Sequence, residues 1–183
     1  EAVAEFMQQG TTLPGDILLV TAFISYVGCF TKSFRMDLLM KMWLPHIRAL
    51  EPPIPINDSV DPLKLLTDEA TTAHWFNEGL PSDRMSTENA TILTNSDRWP
   101  LMIDPQLQGL KWIKQEYGEN LKVIRLGQKG YLEVIEESLI KGLTVLIENI
   151  DENIDPVLDP LLGRNLIKKG KAIKIGDKEV EFN

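Results

Sequence analysis

The sequence predicts an α/β fold: a parallel sheet core with flanking helices, preceded by an N-terminal helical segment and closed by a C-terminal β-hairpin. Three observations predict it. From Trp99 to Glu148, short apolar runs alternate with segments of helical period, the signature of parallel strands joined by crossover helices. Ahead of them, apolar side chains recur at helical spacing from Asp16 to Leu50, and Pro52, Pro53 and Pro55 then end helical structure. At the far end, Lys171 to Ile175 and Glu179 to Phe182 flank Gly176 and Asp177, as two strands flank a tight turn.

In chain order, residues 16 to 29 are apolar around nearly the whole helix circumference, which suits a helix packed on several sides, with Gly15 and Asp16 as its start. A second helix over 32 to 50 carries Phe34, Leu38, Leu39, Met42 and Leu44 to Ile47, interrupted by Pro45. The Pro-rich stretch 51–60 reads as an extended linker between a helical segment, 1–50, and an α/β unit, 61–183. Asp61 followed by Pro62 opens a short helix, Thr67 or Asp68 caps another that Gly79 stops, and Ser86 begins a third running toward Thr94. The apolar run Trp99 to Asp104 is then the first strand of the alternation, followed by a helix from Pro105 to Tyr117. A strand over Leu121 to Leu126, a helix over Tyr131 to Lys141 and a strand over Thr144 to Glu148 complete it.

Composition narrows the function. With 43% hydrophobic and 25% charged residues the chain lies within the globular range. A net charge of −8 argues against nucleic acid as a partner, since backbone binding needs a basic face. The one local basic stretch, Lys168, Lys169, Lys171 and Lys174, reads as a solvated hairpin edge. A single cysteine, Cys29, rules out an internal disulfide, fits a reducing compartment and reads as a packed side chain. Two histidines far apart, His46 and His74, assemble no zinc site of normal spacing, so no metal is implied. The most apolar segment, Ile17 to Phe30, falls short of the ~20 residues that cross a bilayer, so no membrane partner is expected. Residues 1–10 lack the basic start and cleavage site of a signal peptide, and Glu1 and Asn183 read as cuts through a longer polypeptide.

Two motifs bear on chemistry. A P-loop-type domain places a glycine-rich loop after its first strand, where bare amides cradle phosphates and a lysine neutralises them. The matching place holds Asp104, Pro105, Gln106, Leu107, Gln108, Gly109, Leu110, Lys111 and Trp112. Asp104 puts a carboxylate where the first glycine belongs, Pro105 removes an amide donor, Lys111 comes one place late, and Trp112 replaces the hydroxyl that would hold magnesium. Further on, Val145, Leu146 and Ile147 lead into Glu148 and Asn149, where a P-loop ATPase carries an acid for magnesium and a glutamate that positions water. Glu148 retains the capacity to bind a cation, whereas Asn149 cannot act as a base.

These residues carry a resemblance. Gly79-Leu-Pro-Ser-Asp-Arg-Met-Ser-Thr-Glu-Asn-Ala90, Arg98-Trp-Pro-Leu-Met-Ile-Asp-Pro-Gln106, Val145-Leu-Ile-Glu-Asn-Ile150 and Asp155-Pro-Val-Leu-Asp-Pro-Leu-Leu162 resemble the fifth AAA+ module of dynein heavy chains. Pro14-Gly-Asp-Ile-Leu-Leu-Val-Thr-Ala-Phe-Ile-Ser-Tyr-Val-Gly28 resembles the helical passage that joins the returning stalk to that module. Leu161-Leu-Gly-Arg-Asn165 and Lys174-Ile-Gly-Asp-Lys178 are similar to axonemal heavy chains, outer-arm ones most of all.

The resemblance implies a P-loop-type (AAA+) large subdomain, truncated before the strand that carries the sensor-1 residue. It implies a microtubule motor of the axoneme of cilia and flagella as the parent, with ATP and magnesium in other modules and none in this one. The implied partners are neighbouring modules and the stalk of the same heavy chain, with the microtubule reached only through the stalk tip. The implied role is mechanical: relaying closure driven elsewhere in a six-membered ring toward the stalk. The alternative is a divergent ATP-binding module that keeps weak affinity through Lys111 and Glu148.

Other residues carry blander expectations. Glu152, Asp155 and Asp159 read as a solvated helix start, with a cation site as the alternative. Trp43, Trp75, Trp99 and Trp112 read as core or interface anchors. Arg164 matches no arginine-finger position, and Ser82, Ser86 and Ser138 have no histidine in any recognisable constellation.

Overall fold

The computed structural model describes residues 2–167 and 170–181, and in the first helix the side chains of Met7 and of Gly10 onward. They fall into two compact units, Glu1–Gly109 and Leu110–Asn183.

The first unit is helical. Its longest element, α1 (Ala2–Tyr26), runs through Pro14 rather than starting at Gly15 and Asp16. Leu19, Val20, Phe23 and Val27 are buried along one side, and this packing outweighs the ladder bond that Pro14 removes. Gly15 and Asp16 serve a different purpose. A Cβ at Gly15 would lie 2.3 Å from the carbonyl oxygen of Pro55, and Asp16 accepts a hydrogen bond from the Asn57 amide at 2.8 Å. The Pro-rich stretch is therefore extended and docked on α1, with Ile54, Ile56 and Val60 packed against the Leu19, Phe23, Val27, Leu39 and Ile47 cluster.

After a turn over residues 27–31 come α2 (Lys32–Asp37), a π-helical run (Leu38–Trp43) and α3 (Leu44–Arg48). The extra residue in the π turn brings Leu39 and Leu44, five apart, both into the buried set, and it ends beside Pro45, which has no amide to offer the ladder. Phe34 and Met42, expected on the apolar face, are exposed; Met42 lies in the widened turn, which changes which positions there face inward. Cys29 is also exposed, contrary to the packing expectation, since α1 stops three residues before it.

Then follow α4 (Pro62–Leu66), α5 (Glu69–Asn77) and α6 (Arg84–Asn95). Asp61 and Asp68 cap the first two through the amides of Leu63 and Thr71. The third is capped by Asp83 rather than Ser86: its carboxylate accepts from both the amide and the hydroxyl of Ser86, at 3.0 and 2.7 Å. Residues 99–104 correct a further expectation, because they form no strand. A strand is defined by its partner, and none pairs with this run among the described residues. Trp99, Leu101 and Ile103 are 52%, 74% and 88% exposed, so Trp99 is not a core anchor, whereas Trp75 and Trp112 are buried.

The second unit contains α7 (Gln108–Tyr117) from Leu110 on, β1 (Leu121–Arg125), α8 (Tyr131–Lys141), β2 (Thr144–Glu148), α9 (Asp159–Leu162), β3 (Leu166–Ile167), β4 (Ala172–Ile175) and β5 (Lys178–Glu181). β1 and β2 pair in parallel with Leu121 opposite Thr144 and Arg125 opposite Glu148, joined by α8 as a crossover. Gly142 ends α8 at φ +67°, and the Leu143 amide closes on the Ser138 carbonyl at 2.9 Å, a left-handed stop that a side chain would oppose. The hairpin pairs β4 with β5 antiparallel, and the short β3 adds a third strand that sequence reading missed. Ile124, Ile135, Leu158, Ile173, Ile175 and Val180 form one core spanning α8, the parallel pair and the hairpin. Lys171 and Lys174 lie exposed on the hairpin, as a solvated edge requires, while Lys168, Lys169 and Phe182 lie outside the described residues.

Candidate functional site

The segment expected to be a degenerate phosphate loop begins as extended chain at Leu101 and turns at Pro105 into α7. The helix starts at Gln108, three residues later than expected from Pro105, because Leu107 adopts a left-handed conformation at φ +58°. Asp104 closes the turn. Its carboxylate accepts from the Gln108 amide at 3.1 Å while its carbonyl accepts from the Leu107 amide at 3.2 Å. A helix N-terminus attracts anions, and here the chain supplies its own. Gly109 is glycine for close packing: a Cβ there would lie 2.7 Å from Met102 Sδ and 3.4 Å from an Asp104 oxygen. Pro105 stands in the turn without an amide to donate, and Lys111 projects from the exposed side of α7.

Glu148 sits at the C-terminal end of β2, its side chain 14% exposed. Both of its oxygens are engaged. Lys114 Nζ donates to Oε1 at 2.9 Å, and Arg125 reaches Oε2 through two nitrogens at 3.3 and 3.4 Å. The Lys114 hydrogen bond, foremost, and then Arg125 hold this carboxyl below the usual carboxylate range against the opposing effect of burial. Val123, Ile124, Arg125, Leu126, Gln128 and Glu148 line an open hollow of about 540 Å³ at this strand end. Asn149 follows in a left-handed conformation at φ +53°, which asparagine tolerates better than most residues.

The lysine on Glu148 is Lys114, a residue that sequence reading did not single out, and not Lys111. The signal was present: Lys114 stands three positions on along α7, and Arg125 ends the preceding apolar strand directly opposite Glu148 in the parallel register. Of the acidic cluster after β2, Asp155 is engaged locally. Asp155 accepts from the Tyr131 hydroxyl at 2.9 Å and from the Val157 amide at 3.0 Å. Among the described residues, no group of three or more His, Cys, Asp or Glu is arranged to hold a metal, and no helix is long and apolar enough to cross a membrane.

One further feature was invisible in the sequence: Arg35 of α2 and Glu88 of α6 form an ion pair at 3.1 Å with side chains 1% and 2% exposed.

Comparison with known proteins places this geometry in a family. Residues 73–183 match the ATP-binding dynein motor region, and residues 1–47 match the microtubule-binding stalk of dynein motor. The dynein beta chain, ciliary, of Tripneustes gratilla is 67% identical over 183 residues, covering 100% of this chain and 4% of the relative. Dynein axonemal heavy chain 17 of Homo sapiens is 64% identical over 183 residues, again 100% of this chain and 4% of the relative. The dynein alpha chain, flagellar outer arm, of Chlamydomonas reinhardtii is 46% identical over 185 residues, 99% of this chain and 4% of the relative. This chain thus spans 4% of the length of the relatives it matches. By a family match over more than half its length, the chain belongs to the dynein motor family, as a segment in which a stretch matching the stalk runs into the ATP-binding motor region, and it is similar to ciliary and axonemal dynein chains.

Proposed function

We propose that this chain is a non-catalytic AAA+ ring module, the fifth of its heavy chain, that relays conformational change between ATP-hydrolysing modules and the stalk in ciliary and flagellar movement. One observation carries the reading: the acid at the end of β2 is bound by the chain's own cations. Magnesium at Glu148 would have to displace Lys114 and Arg125, and would then find Asn149 in place of a base. The loop supports the same reading, since Asp104 already occupies the donor at the start of α7 and Pro105 offers none. ATP and magnesium then belong to other modules of the parent. The partners of this segment are the neighbouring modules and the stalk, with the microtubule reached through the stalk tip.

The test is made in a heavy-chain motor region that carries this segment in place. Glu148→Gln, which abolishes metal binding at a working acid, should leave microtubule-stimulated ATP hydrolysis within roughly twofold of the parent, because an acid already paired internally contributes nothing to phosphoryl transfer. A loss of hydrolysis comparable to that of an active-site acid would refute the non-catalytic reading.

A further inference from the structure

Arg35 uses its whole fork. Its Nε donates to the Phe30 carbonyl at 2.9 Å, one terminal nitrogen donates to Glu88 at 3.1 Å, and the other donates to the Gly28 carbonyl at 3.0 Å and to Asn89 Oδ1 at 2.7 Å. Two of these acceptors are carbonyls of the turn that joins α1 to α2. The other two are consecutive residues of α6. Glu88 is held from the outside as well, by Arg84 Nε at 2.9 Å, and Arg84 grips Asp61 through both terminal nitrogens at 3.0 and 3.3 Å. Two cations and two anions thus link the end of α1, α2, α6 and the cap of α4.

A buried ion pair is a poor source of stability, because desolvation cancels much of the attraction; its better attested use is to fix one arrangement among several. The position of this pair gives that use a meaning. Arg35 lies in the stretch that matches the dynein stalk, residues 1–47, and Glu88 and Asn89 lie in the stretch that matches the motor region, residues 73–183. We propose that Arg35 is a coupling residue: it fastens the C-terminal end of α1 to α6, so that a displacement of α1 is carried into the module instead of being absorbed in the turn over residues 27–31. A planar guanidinium alone supplies the four directed bonds; lysine in its place would reach fewer acceptors. The direction of relay rests on the function proposed above, whereas the mechanical tie does not.

Two measurements separate them. In the complete motor region, spin labels at Tyr26→Cys and Thr94→Cys, with Cys29→Ser, report the distance between the end of α1 and α6. A single narrow distribution is expected, broadened by Arg35→Met, broadened by Glu88→Met, and broadened no further by the two together. Arg35→Lys should fall between. Asn89→Ala removes one bond at an exposed position and keeps the test open should the Arg35 variants fail to fold. An unchanged distribution in a folded Arg35→Met or in Asn89→Ala overturns the proposal. The second measurement is the dependence of microtubule affinity on the nucleotide state of the motor. Arg35→Met should reduce that dependence roughly tenfold, within the usual range of coupling factors, while basal ATP hydrolysis persists. Broadened distances with an unchanged motor response uphold the tie and contradict the relay reading.

Discussion

Gly15 lies directly beneath the carbonyl oxygen of Pro55, so closely that a Cβ on residue 15 would sit 2.3 Å from that oxygen. Main chain meets main chain here, and neither side yields as a flexible side chain would. Gly15→Ala should therefore destabilise the chain by about 1–3 kcal/mol. Gly10, in the same helix, has nothing within 4 Å of its Cβ position, and Gly10→Ala should stabilise by up to about 1 kcal/mol. Chemical denaturation of the two variants checks the opposite signs.

Asp83 holds the start of α6. Partial burial works to raise its pKa, but hydrogen bonds from the Ser86 hydroxyl and amide prevail and lower it. Asp83→Ala should cost about 1 kcal/mol and Asp83→Asn much less, since asparagine retains the cap. Ser86→Ala, at the position sequence reading assigned as the helix start, should cost less than Asp83→Ala. Urea unfolding midpoints of the three variants decide this.

Glu148 gives a pH signature. Its folded pKa lies below its usual value of 4.5, so its ion pairs contribute stability above that pH and lose it as pH falls through the depressed folded value. Lys114 is 46% exposed, which limits the contribution to within about 1 kcal/mol. Lys114→Met should reduce the acid-side loss of stability relative to the parent chain, measured as unfolding free energy from pH 7 to pH 3. An unaltered acid limb would show that the pair does not form in solution.

What was legible in the sequence, and what was not, divides along physical lines. Helix 131–141 and strand 144–148 were read at their observed limits, because Gly142 supplies a stop and Val145, Leu146 and Ile147 form an unbroken apolar run. The cap at Asp61 was equally plain and Asp68 was one of two candidates for the next, since a cap is local chemistry. The continuation of α1 through Pro14 and the π turn at 38–43 were not, because both depend on what the helix packs against. Residues 99–104 have the composition of a strand but pair with no strand among the described residues, and pairing is a property of two segments. In the site, Asp104 and Pro105 were singled out residue by residue, but the hold of Asp104 on the Gln108 amide was not read. The engagement of Glu148 by Lys114 was not read either, because α7 presents Lys114 to β2 only in three dimensions.

Leu101 and Ile103 expose an apolar edge at 74% and 88%. Such edges bind dye and associate. The chain should bind an apolar dye and show concentration-dependent light scattering, and Leu101→Lys with Ile103→Lys should lower both without lowering thermal stability. A loss of stability in that pair would mean the edge is already covered.

The central claim, that this module has no working nucleotide site, meets its most direct test in titration calorimetry of the chain with magnesium and ATP up to millimolar concentration. The account predicts no saturable heat, in the parent chain and in Glu148→Gln alike. A saturable heat in the parent chain that Glu148→Gln removes would contradict it.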